Sequence, residues 1–206
     1  MNPTTPRRHR LVAIAGATGA GKTTVARLLA ACGFACVHVD DALRHEVAEA
    51  WRVDVRMLTD GATHDWPASA LAIERSAAPG FALWCANAGE NLCAPRSPAW
   101  ALERWQAYKR RVSPDYFVAK TLKAALHAKY SHGCVVVDGL ECERTAAALR
   151  DLGAYVVRVH RPDLATGNTA GQVQAVRHTF TADADLLNDG SLSALYEAAA
   201  EAMGGL

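Results

Sequence analysis

The chain has 206 residues, half of them hydrophobic and 21% charged, so it can bury a core and is neither disordered nor of low complexity. Its 22 Lys+Arg against 21 Asp+Glu leave a net charge of +1, and no bulk field draws it to nucleic acid or an anionic membrane. The longest apolar runs fall far short of a bilayer span, and the five residues Leu11–Ala15 that follow the basic amino terminus are too few for a secretory leader. The expectation is a cytoplasmic protein with no nucleic-acid or membrane partner. The cysteines show no C-x-x-C spacing, which predicts reduced and mostly buried thiols.

In chain order, Leu11–Ala15 is a continuous apolar run ending at glycine, which suits a buried parallel strand. From Lys22 to Cys32 the apolar residues Val25, Leu28 and Leu29 have helical spacing, and Gly33 stands where a helix stops. Phe34–Val39 reads as a second strand, and Asp40 and Asp41 open a helix through Trp51. Residues 52–97 are hard to read, with Pro67, Pro79 and Pro95 breaking any long element. Ser97-Pro98 signals the N-terminus of a helix to about Val112, and Ser113-Pro114-Asp115 repeats the signal for one to about Tyr130. Cys134–Val137 is a third strand closed by Asp138-Gly139, followed by a helix near Arg144–Leu152. Tyr155–Val159 and Ala184–Leu187 are further strands, and Ser191 caps a last helix ending near Met203.

Strands of continuous Val, Ile and Leu alternating with helices predict a three-layer α/β/α fold around a parallel sheet of about five strands. Residues 52–130 read as a helical insertion on the acceptor side, and 160–182 as a lid-like loop.

The sharpest signal is Gly16-Ala17-Thr18-Gly19-Ala20-Gly21-Lys22-Thr23, a full match to G-x-x-x-x-G-K-[ST] set between a strand and a helix. Such a loop curls backbone N–H groups around a polyphosphate, and the helix that follows points its positive end at the same anion. Lys22 would reach the β and γ phosphates of ATP, the Thr23 hydroxyl would ligate Mg²⁺, and Thr24 continues the loop into the helix. Asp138, at the end of an apolar strand, is the candidate second Mg²⁺ group, partly through water; a turn-forming Asp-Gly is the alternative. The histidines form no H-x-x-x-H pair, so a protein-ligated transition metal is not expected.

An anionic acceptor needs arginine forks and a hydroxyl acceptor needs a base. Arg104, Arg110 and Arg111 lie on the helix after Ser97, with Trp100, Trp105 and Tyr108 among them, and Arg44 lies beside Asp40 and Asp41. Substrate binding is the functional reading of these arginines, and a solvated helix face is the plain one. Arg161, with Arg158 and His160, leaves the fourth strand for the long loop that also holds Arg177. There it could deliver charge to the transferring phosphoryl, or belong to an ordinary surface loop.

Taken together, the segments LVAIAGATGAGKTTVARLLA, VDDALRHEVAEAW, RSPAWALERWQAYKRR with SPDYFV, VVVDG, ALRDLGAYVVRVHRP and ADLLNDGSLSALYE resemble the deoxynucleoside monophosphate kinases of bacteriophage type and their bacterial relatives. The resemblance implies a single P-loop kinase domain over 1–206 that transfers the ATP γ-phosphoryl to a deoxynucleoside monophosphate with Mg²⁺. It places Asp41 and Arg44 on a substrate-side segment, Arg104, Arg110 and Arg111 on an acceptor-binding helix, and Asn188, Gly190 and Ser191 beside the adenine. The sequence departs from the family at Leu140, where an arginine is usual, and at Ala99 and Gln106-Ala107. It also lacks a His-x-Ser/Thr-Glu signature between Gly167 and Phe180.

Dephospho-coenzyme A is the best-named other acceptor, with Asp40 or Asp41 as base, and a nucleotide-binding module without turnover is the reading from another class. Small-molecule nucleotides are the expected partners, and the five tryptophans leave a homodimer open.

Overall fold

The computed structural model describes residues 10–162 and 181–203. Its chain forms two compact units, one of Met1–Val39 with Thr121–Leu206 and the other of Asp40–Lys120. The second unit thus begins and ends earlier in the chain than the 52–130 segment read from the sequence. The lid-like loop read over 160–182, with Arg177, lies outside the described residues except for its two ends.

In the first unit, strands β1 (Leu11–Gly16), β2 (Ala35–His38), β3 (Val135–Leu140), β4 (Tyr155–His160) and β5 (Ala184–Leu187) form one sheet in the order β2-β3-β1-β4-β5. Every adjacent pair is parallel. All six residues of β1 and all six of β3 are buried, as strands covered on both faces must be. On one face Val12, Ile14, Val136, Val157 and Val159 pack with Val25 and Leu29 of α1 (Lys22–Ala31) and with Leu195 and Ala199 of α7 (Leu192–Ala202). On the other, Leu11, Ala13, Val135, Val137 and Val156 pack with Ala125 and Ala128 of α5 (Tyr116–His132) and with Leu149 of α6 (Glu143–Asp151). The result is an α/β/α fold with a five-stranded parallel sheet.

β3 does not close at Asp138-Gly139, as the sequence suggested, but runs through both residues to Leu140. Ala13 pairs with Val137 and Ala15 with Leu140, so two steps of β1 face three of β3. Gly139 supplies the positive φ of 82° that this bulge demands, and the pair bends the strand without ending it. Leu140, where the resembled family has arginine, is wholly buried in the core. Only Cys85 of the six cysteines is buried, while Cys36, Cys93 and Cys142 are exposed. Cys36 lies on the edge strand β2 and Cys93 and Cys142 lie outside regular elements, so their side chains stay at the surface against the expectation of buried thiols.

The second unit holds α2 (Asp41–Trp51), three short 3-10 segments (Val55–Leu58, Ser69–Leu71, Ile73–Arg75), α3 (Pro79–Asn87), α4 (Pro98–Val112) and the start of α5. Ser97 caps α4 as predicted, its hydroxyl accepting from the Trp100 N–H at 3.2 Å. The core is aromatic: Trp51 and Trp105 meet edge to face at 5.8 Å, and Phe81 lies 5.2 Å from Trp105 and 5.5 Å from Tyr108. No helix among the described residues is long and apolar enough to cross a membrane.

Glu46 of α2 ties three helices of this unit together. Its carboxylate accepts from Trp105 Nε1 at 3.0 Å and Tyr116 OH at 2.8 Å, and pairs with Lys120 at 2.6 Å and Lys109 at 3.5 Å. Burial by itself would raise the Glu46 pKa, but the bonds from Lys120, Trp105 and Tyr116 and the charge of Lys109 outweigh it and hold it below the ordinary glutamate range. A depressed carboxylate pKa stabilises the fold above the unfolded-state value, and that stability is lost as pH falls through the folded value. The melting temperature is therefore expected to drop on acidification below about pH 4. Glu46→Gln should melt lower at neutral pH and lose part of that acid sensitivity, as thermal unfolding across pH will show.

Candidate functional site

The site grows from the carboxyl edge of the parallel sheet, where open α/β folds place their ligands. β1 ends at Gly16, the loop crosses to Gly21, and α1 starts at Lys22 with Gly21 as its N-cap residue. No side chain caps this helix, and the first N–H groups of any α-helix have no acceptor a full turn back within it. The loop braces itself through the Ala20 N–H donating to Ala17 O at 3.1 Å and the Thr24 and Val25 N–H groups donating to Gly21 O at 3.0 and 3.1 Å. Backbone donors beside the positive end of a helix make an arrangement that suits an anion.

The Lys22 ammonium arches over the loop, donating to Gly16 O at 2.8 Å and Ala17 O at 3.1 Å, with Glu141 at 3.9 Å. A phosphate reaching the loop would find this cation already held above it. The Thr23 hydroxyl donates to Asp138 Oδ2 at 3.0 Å, and the Gly139 N–H donates to Asp138 Oδ1 at 2.7 Å. Asp138 is 5% exposed. The two residues read from the sequence as Mg²⁺ groups, from positions 23 and 138, therefore meet side by side.

Their donor set fits Mg²⁺: a hydroxyl and a carboxylate are hard oxygen ligands, few enough to leave coordination positions for phosphate and water. Among the described residues no group of three His, Cys, Asp or Glu side chains could hold a metal ion. A divalent ion at Thr23 and Asp138 would take the rest of its shell from outside these side chains.

Beside the loop, Asn188, Asp189 and Gly190 line a cavity of ≈ 320 Å³ together with Thr24, Arg161, Leu192 and Leu195. Ser191 caps α7, accepting from the Ala194 N–H at 3.2 Å. The adenine-side residues inferred from the resemblance, Asn188 and Gly190, thus share one concave surface with the loop residue Thr24. Arg161, read as a lid group for the transferring phosphoryl, also lines this cavity. Leu192 and Leu195 escaped the sequence reading. Leu192 directly follows the Ser191 cap and Leu195 stands one turn beyond it, so helical phase from that cap could have found them.

Within the second unit, Asp41 and Arg44 come together. Arg44 Nη2 lies 3.3 Å from Asp40 and Nη1 lies 3.8 Å from Asp41. Both aspartates stand at the start of α2, where the helix dipole favours negative charge. Arg104 pairs with Glu90, which also accepts from Arg96 at 2.8 Å. The guanidinium of Arg104 lies 5.2 Å and that of Arg111 5.6 Å from the Trp84 ring, so the seven-residue spacing does bring them to one face. Arg110 is exposed. Glu90 had no sequence signal, because it reaches Arg104 across a loop rather than at helical spacing.

No family model matches the chain, and no curated protein matches it. Among solved structures, it is similar to a dephospho-CoA kinase from Campylobacter jejuni, at 11% identity and a TM-score of 0.49, covering 93% of this chain and 94% of that one. It is also similar to TT1252 from Thermus thermophilus, at 18% identity and a TM-score of 0.47, with the same coverage of 93% and 94%.

Proposed function

We propose that the chain is a kinase that transfers the γ-phosphoryl group of ATP to a small-molecule acceptor. The observation that carries this is the Thr23–Asp138 contact at 3.0 Å beside the arched Lys22, at the positive end of α1. First-turn N–H groups of α1 hold the phosphate chain, and Lys22 moves from the Gly16 and Ala17 carbonyls onto the β and γ oxygens. Thr23 and Asp138 would hold Mg²⁺, which when bound neutralises charge developing between the β and γ phosphates. An acceptor oxygen forms a bond to the γ phosphorus while the bond to the bridging oxygen of ADP breaks. Catalysis is then mainly positioning and electrostatics.

For the acceptor, a hydroxyl compound such as dephospho-coenzyme A is the better reading. Asp40 and Asp41, although both pair with Arg44, keep side chains 44% and 50% exposed at the start of α2, where a carboxylate could take the proton a hydroxyl must lose. Arg104, which a phosphate acceptor would call on, already shares Glu90 with Arg96. A (deoxy)nucleoside monophosphate is the second reading. It draws on the exposed Arg110 and on Arg111 stacked at Trp84, and needs no base because its attacking oxygen is already anionic.

ADP formation from ATP and Mg²⁺ is expected to rise with dephospho-coenzyme A in a panel that also holds nucleoside and deoxynucleoside monophosphates. Stimulation by a monophosphate alone selects the second reading, and tight ATP binding without transfer to any acceptor means a binding module. Asp41→Asn is expected to lower kcat by about 10²–10⁴ with a hydroxyl acceptor. A rise confined to KM assigns Asp41 to binding instead. Asp138→Asn keeps an acceptor for Thr23 but not the carboxylate, so calorimetry should find the Mg²⁺-dependent gain in ATP affinity abolished while the protein still melts cooperatively.

A further inference from the structure

Asn188 directly follows β5 and is held at both ends. Its backbone N–H donates to His160 O at 2.7 Å, at the end of β4. Its side-chain Nδ2 donates to Ala20 O at 2.8 Å, inside the glycine loop. A carbonyl only accepts, so the amide nitrogen must be the atom that faces it. Gly21 makes room for this contact. A Cβ there would lie 2.6 Å from Asn188 Nδ2, and φ is +107°.

The Ala20–Gly21 peptide is trans, so its C=O and N–H point to opposite sides. Anchoring the carbonyl on Asn188 therefore turns the Gly21 N–H to the other side of the loop, away from the base-side turn. We propose that Asn188 is a positioning residue that couples the base-side turn to the phosphate loop, fixing the Ala20–Gly21 peptide so that the Gly21 N–H faces the phosphates. The inference rests on the reading of the loop as a nucleotide phosphate site. It makes the shape of the cradle depend on a residue far away in sequence. A residue that merely touched the base would leave phosphate binding alone.

Inorganic tripolyphosphate with Mg²⁺ separates the two roles, because it carries no base. Calorimetry would compare tripolyphosphate and ATP binding to the unaltered protein, Asn188→Ala and Asn188→Asp, with thermal unfolding run alongside. Loss of one neutral hydrogen bond predicts tripolyphosphate affinity about five- to tenfold weaker in Asn188→Ala. The loss should be larger in Asn188→Asp, whose carboxylate is repelled by the Ala20 carbonyl, and this isosteric variant carries the test if Asn188→Ala does not fold. Unchanged tripolyphosphate affinity in the folded variants overturns the proposal, whether or not ATP binding weakens. If the unaltered protein binds neither ligand, the phosphate-site reading fails and takes this inference with it.

Discussion

The arrangement depends on a carboxylate held in the interior. Asp138 sits in a strand whose every residue is buried, and a carboxylate taken out of water is costly unless donors reach it. Two do: the Gly139 N–H on one oxygen and the Thr23 hydroxyl on the other. The second of these crosses from β3 to α1 and so pins the first turn of the helix against the sheet. The bulge at Gly139 allows the strand to carry a polar residue at its rim while Leu140, immediately beyond, returns to the core.

Parallel topology gives this contact its consequence. With β3 and β4 flanking β1, the ends of all three strands meet at one edge, and each loop leaving that edge joins the same neighbourhood. The glycine loop leaves β1, Asp138 sits near the end of β3, Arg161 follows β4 and Asn188 follows β5. Strand order thereby brings the Asp138 carboxylate to the cation, hydroxyl and helix terminus that residues 21–23 supply together.

The second unit is organised by half-buried carboxylates of another kind. Glu46 gathers two lysines, an indole and a phenol, and Glu90 gathers two arginines. Around them the aromatic rings take cations on their faces: Lys109 lies 4.9 Å from Trp105 and Arg96 lies 4.4 Å from Trp100. Each anion lets basic side chains lie along an apolar core without leaving their charges unmatched. The cost is that part of the basic character of α4 is spent internally, on Glu90 and Glu46, before any ligand arrives.

Local chemistry made much of this readable. Apolar runs announced β1 and the start of β3, the Ser97 and Ser191 caps marked α4 and α7, Gly33 marked the end of α1, and the glycine loop identified itself by a spacing that only its backbone geometry requires. Those signals are legible because they act over a few residues. The helix α3 was not, since its apolar residues are not gathered on one face and prolines surround it. Nor was the continuation of β3 through Asp138-Gly139, because an Asp-Gly pair reads as a turn unless a neighbouring strand keeps pairing beyond it. The sequence by itself determined the layered fold and the glycine loop between its first strand and first helix. Tertiary structure alone decided that Thr23 meets Asp138, that Asn188 reaches Ala20, and that Arg104 answers to Glu90. Those partners lie far apart along the chain, and only the order of the strands and the packing of the helices bring them within bonding distance.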